Sequence, residues 1–458
     1  MGMKIQGKTT AKDMTQGSIV KLILEFCLPL LVGNLFQMLY NTVDSLVVGN
    51  FVGTEALAAI GSTTMIVNMI VFFFNGMSTG ATVLIGQLFG AHDKEGLHVA
   101  VETTMGMTFL FSIIFSILGV FSVPYMLRFM STPEDVLGPA TTYLTIYFTG
   151  ISGLLIYNMG SGILRAVGDS VRPLLFLIFT SVLNTILDLI FVIVFGWGIS
   201  GVAIATIVSQ FLSAILIVLL LNRTEDIYRF TFHDMRIDKK SFALILRYGL
   251  PAAIQSTITA FSNVFVQSYV NGFGSACMAG WSCYNKIDQF IFLPVQSMAM
   301  AATAFVSQNI GAGDEERANK GTVVSLVMME IITFTLATLI FIFAAPATGV
   351  FTSDVRVIRY SVLFLHQNVF FLCFNSINHT LAGALRGRGD SLAPMIIMLS
   401  SFVALRQLYL FFATRLIGYT ERVVGFGYPV GWTVCCIIEV SYFYFRWMRK
   451  PGKGKKHI

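Results

Sequence analysis

The chain has 458 residues, 24 acidic and 30 basic side chains for a formal net charge of +6, with 12% charged and 55% hydrophobic residues, and a mean hydropathy of +0.76. That is about half the charged fraction of a soluble globular protein, which excludes an ordinary cytosolic enzyme. A chain this apolar does not stay solvated as a disordered polymer either, so its solvent is lipid.

A bilayer core of about 30 Å takes roughly 20 apolar residues per helix. Apolar runs bounded by charge, glycine or proline predict twelve spans, near residues 19–49, 55–88, 97–124, 134–160, 172–195, 199–221, 242–270, 276–308, 318–345, 355–382, 393–416 and 424–447. The runs are apolar throughout rather than alternating, which favours helices over a lipid-facing barrel. Before the first span stands a mixed leader with Lys4, Lys8, Lys12 and Asp13. It lacks a short apolar core followed by a small-residue cleavage site, so the first span is expected to be retained. Gly2, Gly7, Lys8 and Thr9 have the spacing of a phosphate-binding loop, but no strand enters it and no nucleotide-binding domain follows. Energy is therefore expected from an ion gradient rather than from a nucleotide. The cysteines Cys27, Cys277, Cys283, Cys373, Cys435 and Cys436 fall almost all in apolar runs, where free cysteine acts as a small hydrophobe, and neither a disulfide framework nor a zinc spacing is present.

Shifting the sequence by 221 residues sets Gly162, Leu164, Arg165, Gly168, Asp169, Ser170 and Pro173 on Gly383, Leu385, Arg386, Gly389, Asp390, Ser391 and Pro394. The same shift pairs Gln87, Gly90, Ala91 and Asp93 with Gln308, Gly311, Ala312 and Asp314, and Asn50 and Gly53 with Asn271 and Gly274. One constant offset at three separated places marks a duplication. The expected fold is an all-α membrane protein of twelve transmembrane helices, in two six-helix bundles related by a pseudo-twofold axis along the membrane normal. Residues 1–221 are expected to form the amino-terminal lobe, 222–240 a charged cytoplasmic linker, and 241–458 the carboxy-terminal lobe with a basic tail. With both termini on one side, only Arg128, Arg356, Arg359, Arg415 and Arg422 of the loop cations fall opposite, so both termini are expected in the cytoplasm. The tail from Arg446 onward reads as a topology signal touching anionic lipid.

Ion coupling leaves ionisable groups where lipid should forbid them, since a carboxylate at mid-span costs about 2.5 to 3.5 kcal/mol. Asp44 in span 1 and Asp188 in span 5 are the clearest. Counted from the outer turns at about 1.5 Å per residue, Asp44, Asp188 and Thr206 of span 6 lie at one depth. Asn184 shares a helical face with Asp188, and Gln37 and Tyr40 precede Asp44 by seven and four residues on one stripe. The duplication is an internal control. Asn184, Asp188 and Thr206 map onto Leu405, Tyr409 and Gly427, and Asp44 onto Phe265, or onto Val266 with a one-residue slip in register, so the scaffold itself does not demand the polar set. Two carboxylates held close in low dielectric do not both stay charged without a proton or cation between them. Such a pair is a switch.

The remaining buried charges carry less information. Lys286 and Asp288 in span 8 are two apart and do not face each other directly; cavity lining and structural pairing with other spans both remain open. Arg406 is expected to pair with Glu330, Glu439 or both, and Glu25 and Glu102 are expected to be solvated near cytoplasmic ends. His366 and His379 read as hydrogen-bonded core residues. No serine, cysteine or histidine set has the arrangement of a nucleophile with its base.

With the first-span run Pro29, Gly33, Gln37, Tyr40, Asp44, Gly49 and Gly53 and the paired turns from Arg165 to Pro173 and Arg386 to Pro394, the chain resembles the multidrug and toxic compound extrusion (MATE) family. That family lies within a wider superfamily that includes polysaccharide and lipid flippases. The resemblance implies a V-shaped pair of bundles exporting cationic or amphipathic compounds in exchange for Na⁺ or H⁺. It further implies that Asp44, Asn184, Asp188 and Thr206 are the cation and proton site of the DinF-like branch, the residues at which a Na⁺ would sit, and that Gln37, Tyr40 and Asn158 line that lobe's cavity. The NorM-like branch carries acids in spans 7 and 10, where this chain has Gln255, Thr259 and Asn263, and His366, Asn375, Asn378 and His379. That places it nearer the DinF-like branch.

The expected protein is a multidrug efflux antiporter and not an enzyme, a monomer of the inner or plasma membrane. It is expected to need no cofactor beyond the coupling ion. Its expected partners are a small-molecule cargo and membrane lipids, with no nucleic acid and no nucleotide. A lipid-linked oligosaccharide or lipid flippase would need a more basic cavity than the few buried arginines offer. An intramembrane enzyme using Asp44 and Asp188 as a dyad is the alternative from another class.

Overall fold

The structure is a computed structural model that describes residues 11–130 and 132–449. Lys4, Lys8, the Gly2, Gly7, Lys8 and Thr9 spacing, and the tail lysines Lys450, Lys453, Lys455 and Lys456 lie outside the described residues. The described chain is helical without strands: α1 (Ile19–Phe51), α2 (Thr54–Gly90), α3 (Lys94–Phe129), α4 (Glu134–Thr149), α5 (Ile151–Ala166), α6 (Val171–Leu189), α7 (Gly198–Arg223), α8 (Lys239–Asn271), α9 (Ser275–Gly311), α10 (Glu315–Gly349), α11 (Val355–Asn368), α12 (Leu372–Gly387), α13 (Leu392–Leu399), α14 (Arg406–Leu416), α15 (Glu421–Gly425) and α16 (Gly427–Phe443). In lipid a backbone has no water to bond, so each segment satisfies itself as a helix.

Grouped by the turns between them, these make the twelve expected spans, six in each half. Among the described residues ten helical runs are long and apolar enough by length and composition to cross a membrane. The other two are α8, which carries Gln255, Ser256, Thr257, Thr259, Ser262 and Asn263, and the span of α4 and α5, broken at Gly150. Its repeat partner breaks at the same place, where a 3₁₀ turn over Val369–Phe371 separates α11 from α12. Short π-helical stretches continue α6 over Ile190–Val194 and join α13 to α14 over Ser400–Leu405. In α10 the backbone leaves helical geometry at Phe343, φ −102° and ψ 20°. Pro346 three residues on has no N–H for the ladder, and its ring crowds the preceding turn.

The duplication is visible atom by atom. Helices α2 and α9, and α5 and α12, have bounds that differ by the same 221 residues. Thr82 Oγ1 donates to the Gly162 carbonyl at 3.0 Å, and its counterpart Thr303 Oγ1 donates to the Gly383 carbonyl at 2.9 Å. Asp93 and Asp314 cap α3 and α10 by accepting from the third residue on, Gly96 and Arg317. Gly168 and Gly389 hold φ of +83° and +82°, a left-handed turn that side chains with a Cβ adopt at a cost.

The chain forms two compact units. One contains Leu24–Ser256 with the segment ending at Gln16, and the other contains Gly17–Ile23 with the chain from Thr257 on. In the first unit Gly76 and Gly80 of α2 lie against the backbone of Ile245, Gly249, Ala252 and Ala253 in α8. Small residues four apart on both helices let the backbones touch, the usual means of packing helices where lipid removes the hydrophobic drive. Beside this contact Met77, Ala81, Ile85, Ile163, Ile217, Ile245 and Ala253 form a buried core. The lipid-facing side of α3 is read from exposed Ile113, Ile117 and Phe121.

The polar linker folds onto the first unit rather than floating. Arg172 pairs with Asp169 and donates to the Tyr228 hydroxyl at 2.8 Å, which donates to Asp226 at 2.9 Å. Phe230 and Phe232 pack on Phe109. Glu102, expected in solvent, is 1% exposed and accepts from the Thr231 N–H at 2.9 Å. The linker passes over it and supplies the donor, which residue-by-residue depth counting does not reveal. Glu25 is exposed and pairs with Lys12. All six cysteines are free.

Candidate functional site

Four helices of the first unit bring polar side chains together. α1 supplies Tyr40 and Asp44, one turn apart; α6 supplies Asn184 and Asp188, also one turn apart; α7 supplies Thr206 and Gln210; α4 supplies Tyr143 and Tyr147. The four-residue spacings put each pair on one helical face.

The carboxyl groups of Asp44 and Asp188 lie within hydrogen-bonding reach of each other. Apart from that contact, Asp44 Oδ1, both Asp188 oxygens and both amide atoms of Asn184 are buried without a hydrogen-bond partner. Asp188 has no exposed surface and Asn184 only 2%. Thr206 Oγ1 donates to the Val202 carbonyl at 3.0 Å, which leaves its lone pairs available. A buried acceptor left unmade costs about 1 to 3 kcal/mol, more when charged. The orphans here are chiefly oxygens, and what they lack is a proton or a hard cation. Among the described residues no group of three His, Cys, Asp or Glu side chains is arranged to hold a metal. Oxygen ligands from carboxylate, amide and hydroxyl suit a transported Na⁺ or H⁺ rather than a resident transition metal.

Around the acids stands an aromatic shell. The Tyr40 hydroxyl is within electrostatic reach of Asp44, Asp188, Tyr143 and Tyr147. The Tyr143 and Tyr147 rings stack with centroids 6.3 Å apart and planes 19° apart, and Tyr147 is within hydrogen-bonding reach of Gln210. Sequence reasoning missed Tyr143, Tyr147 and Gln210. Their available signal was spacing, since Gln210 follows Thr206 by four residues and the two tyrosines are four apart in span 4.

The other candidate residues are spread more widely. Gln37 is half-buried on α1, three residues before Tyr40. Asn158 of α5 is buried, donates to the Leu154 carbonyl at 2.9 Å, and its own carbonyl accepts from Ser78 Oγ at 2.7 Å. In the second unit Lys286 is exposed, with Nζ 5.4 Å from the Phe351 ring centroid. Asp288 has a buried, unpartnered Oδ1 and lies in electrostatic reach of Tyr284 and Tyr428. Arg406 does not pair with a glutamate as expected. It donates to Ser262 Oγ at 2.7 Å and sits 4.7 Å over the Tyr428 ring, because its place on the helix turns it towards α8 and α16. His366 bonds the Phe341 carbonyl at 3.0 Å, and His379 meets the edge of Phe292.

The family model MatE matches residues 29–190 and 251–409. The chain is 32% identical over 437 residues to the probable multidrug resistance protein YpnP of Bacillus subtilis (strain 168), covering 95% of this chain and 98% of that one. It is 27% identical to the probable multidrug resistance protein YoeA of the same organism, covering 93% of each. Among solved structures, an outward-facing multidrug resistance MATE family transporter of the MOP superfamily superposes with a TM-score of 0.90 at 22% identity, covering 97% of this chain and 99% of that one.

Proposed function

The chain belongs to the MatE family, and from that premise we propose an ion-exchange cycle in which Asp44 and Asp188 take turns holding a small cation. The protein is a multi-pass membrane transporter, not an enzyme: a secondary active antiporter that exports cationic or amphipathic small molecules. The observation that carries the coupling assignment is the meeting of two buried carboxyl groups, with Asp188 and Asn184 otherwise unbonded. Na⁺ or H⁺ between them removes their repulsion. Release restores it and moves α1 against α6. Asn184 and Thr206 supply neutral oxygens to the ion; Gln37, Tyr40 and Asn158 line the first unit's cavity and contact cargo there, and Lys286 and Asp288 are the second unit's own cavity-lining candidates. Residues 1–221 and 241–458 act as the two lobes and 222–240 as the cytoplasmic linker. The monomer sits in the inner or plasma membrane with both termini in the cytoplasm. It meets lipid and cargo but no nucleotide or nucleic acid.

One coupling charge crossing 100 mV supplies about 2.3 kcal/mol, enough for a cargo gradient of about fiftyfold when the cycle is electrogenic. The test is efflux of a fluorescent cationic dye from liposomes under separately imposed Na⁺ and pH gradients. One gradient is expected to drive efflux and Asp44→Asn to abolish it without preventing insertion. Undiminished efflux by the inserted variant refutes the assignment.

A further inference from the structure

The end of the second unit from which the basic tail leaves holds buried donors that no acceptor meets. Arg388 closes α12 and is only 8% exposed. Its Nη2 donates to the neutral Asn319 Oδ1 of α10, while Nε and Nη1 are buried without a hydrogen-bond partner. Two rings that end the last span enclose the group: Cζ lies 5.5 Å from the Phe443 ring centroid and 4.8 Å from that of Trp447. Trp447 Nε1 is itself buried and unpartnered. A second guanidinium, that of exposed Arg446, sits 5.3 Å from the same ring.

The nearby acids do not answer these donors. Asp390 accepts from the Tyr442 hydroxyl at 2.6 Å. Glu315, at the start of α10 and in electrostatic reach of Arg388, bonds neither Nε nor Nη1. A buried charged donor left unbonded is expensive, and what these donors lack is an acceptor carrying negative charge. The scaffold does not require them. Under the 221-residue shift Arg388, Asn319, Arg446 and Trp447 fall on Val167, His98, Glu225 and Asp226, so the duplicated helix end carries two acids where this one carries a cation and an indole donor.

We propose that Arg388, Arg446 and Trp447 bind the phosphate of an anionic phospholipid, a headgroup site separate from cargo and coupling ion. A guanidinium offers several N–H groups to the oxygens of one phosphate through charge-assisted bonds. The source is lipid, because exposed Ile437, Val440, Tyr444, Phe445 and Met448 run along the same span beside the cluster and give acyl chains a surface. Basic pockets between spans at a membrane edge take phospholipid headgroups. Trp447 is half-buried, and turning its ring opens Arg388 to that side. Two guanidinium groups repel choline, so the site prefers a headgroup of net negative charge. It is independent of the exchange cycle at Asp44 and Asp188.

The test titrates the full chain in dodecyl maltoside with brominated phosphatidylglycerol or brominated phosphatidylcholine. Quenching of Trp447 is read as the difference between each protein and its own Trp447→Phe background. Half-quenching is expected at about tenfold less phosphatidylglycerol than phosphatidylcholine, the equivalent of one charge-assisted bond, and Arg388→Gln should erase that preference. Arg446→Gln, at an exposed position, should lower it about threefold, and it decides should Arg388→Gln fail to fold. Equal half-quenching by the two lipids in the wild type overturns the proposal, as does an undiminished preference in either variant. Inorganic phosphate in molar excess should not displace the phosphatidylglycerol; displacement would assign the donors to a free anion and overturn the lipid headgroup.

Discussion

Replacing Gly80 by alanine tests the packing that holds α2 to the first half of α8. A Cβ there would lie 2.4 Å from the Ile245 carbonyl oxygen, 2.5 Å from Gly249 N and 2.6 Å from Gly249 Cα. Ordinary contact begins near 3.4 Å, so the helices must separate by about 1 Å, and every neighbour is backbone that no rotamer change can clear. Overpacking of this kind costs about 1 to 3 kcal/mol, against at most about 1 kcal/mol regained from alanine's better helix propensity. Because all three contacts are far inside the ordinary limit and all are backbone, the cost falls at the upper end of that range, and the expected net loss is about 2 kcal/mol by those figures, seen as a lowered thermal midpoint in detergent. Gly138→Ala in α4 is the matched control, because nothing lies within 4 Å of its Cβ; that variant should be neutral or slightly stabilised. A Gly80→Ala protein that melts with the wild type would refute the close-contact reasoning.

Two further outcomes follow from named contacts. Gln210→Leu removes the partner of Tyr147 without touching either acid, so dye affinity and ion dependence should shift while insertion and the requirement for Asp44 persist; an unaltered ion dependence would separate the aromatic shell from coupling. Asp238, ahead of α8, accepts from the Ser241 N–H at 2.8 Å, and that bond holds its carboxyl below the usual aspartate range of about 3.9. A depressed folded value means the stabilisation is complete above the unfolded value and is lost as pH falls through the folded one. Detergent melting curves of Asp238→Ala against wild type should therefore differ near neutrality and converge in acid, and a difference that persists in acid would show that the cap is not electrostatic.

Spans, repeat and exchange site were legible to different degrees. The spans follow from the length rule that a bilayer imposes, and the break at Gly150 and its partner at Val369–Phe371 needed backbone geometry to be seen. Asp44 and Asp188 stood out because a carboxylate in an apolar run is costly wherever its neighbours are. Tyr143 and Tyr147 did not, since tyrosine in a span serves lipid contact, packing or a site equally well. Glu102 and Arg406 were misjudged for one reason: depth along a helix is written in residue number, but rotation about it and the path of a crossing segment are not.

The sequence by itself determined the number of crossings and the duplication, and it singled out the two acids proposed to hold an ion, because lipid penalises each exposed polar group locally and so prints those features residue by residue. The tertiary structure alone decided which groups meet: Asp44 with Asp188, Glu102 with the Thr231 N–H, and Arg406 with Tyr428 rather than a glutamate. Side-chain partners are fixed by how helices turn and pack against each other, and that packing is a property of the assembled chain, absent from any one segment.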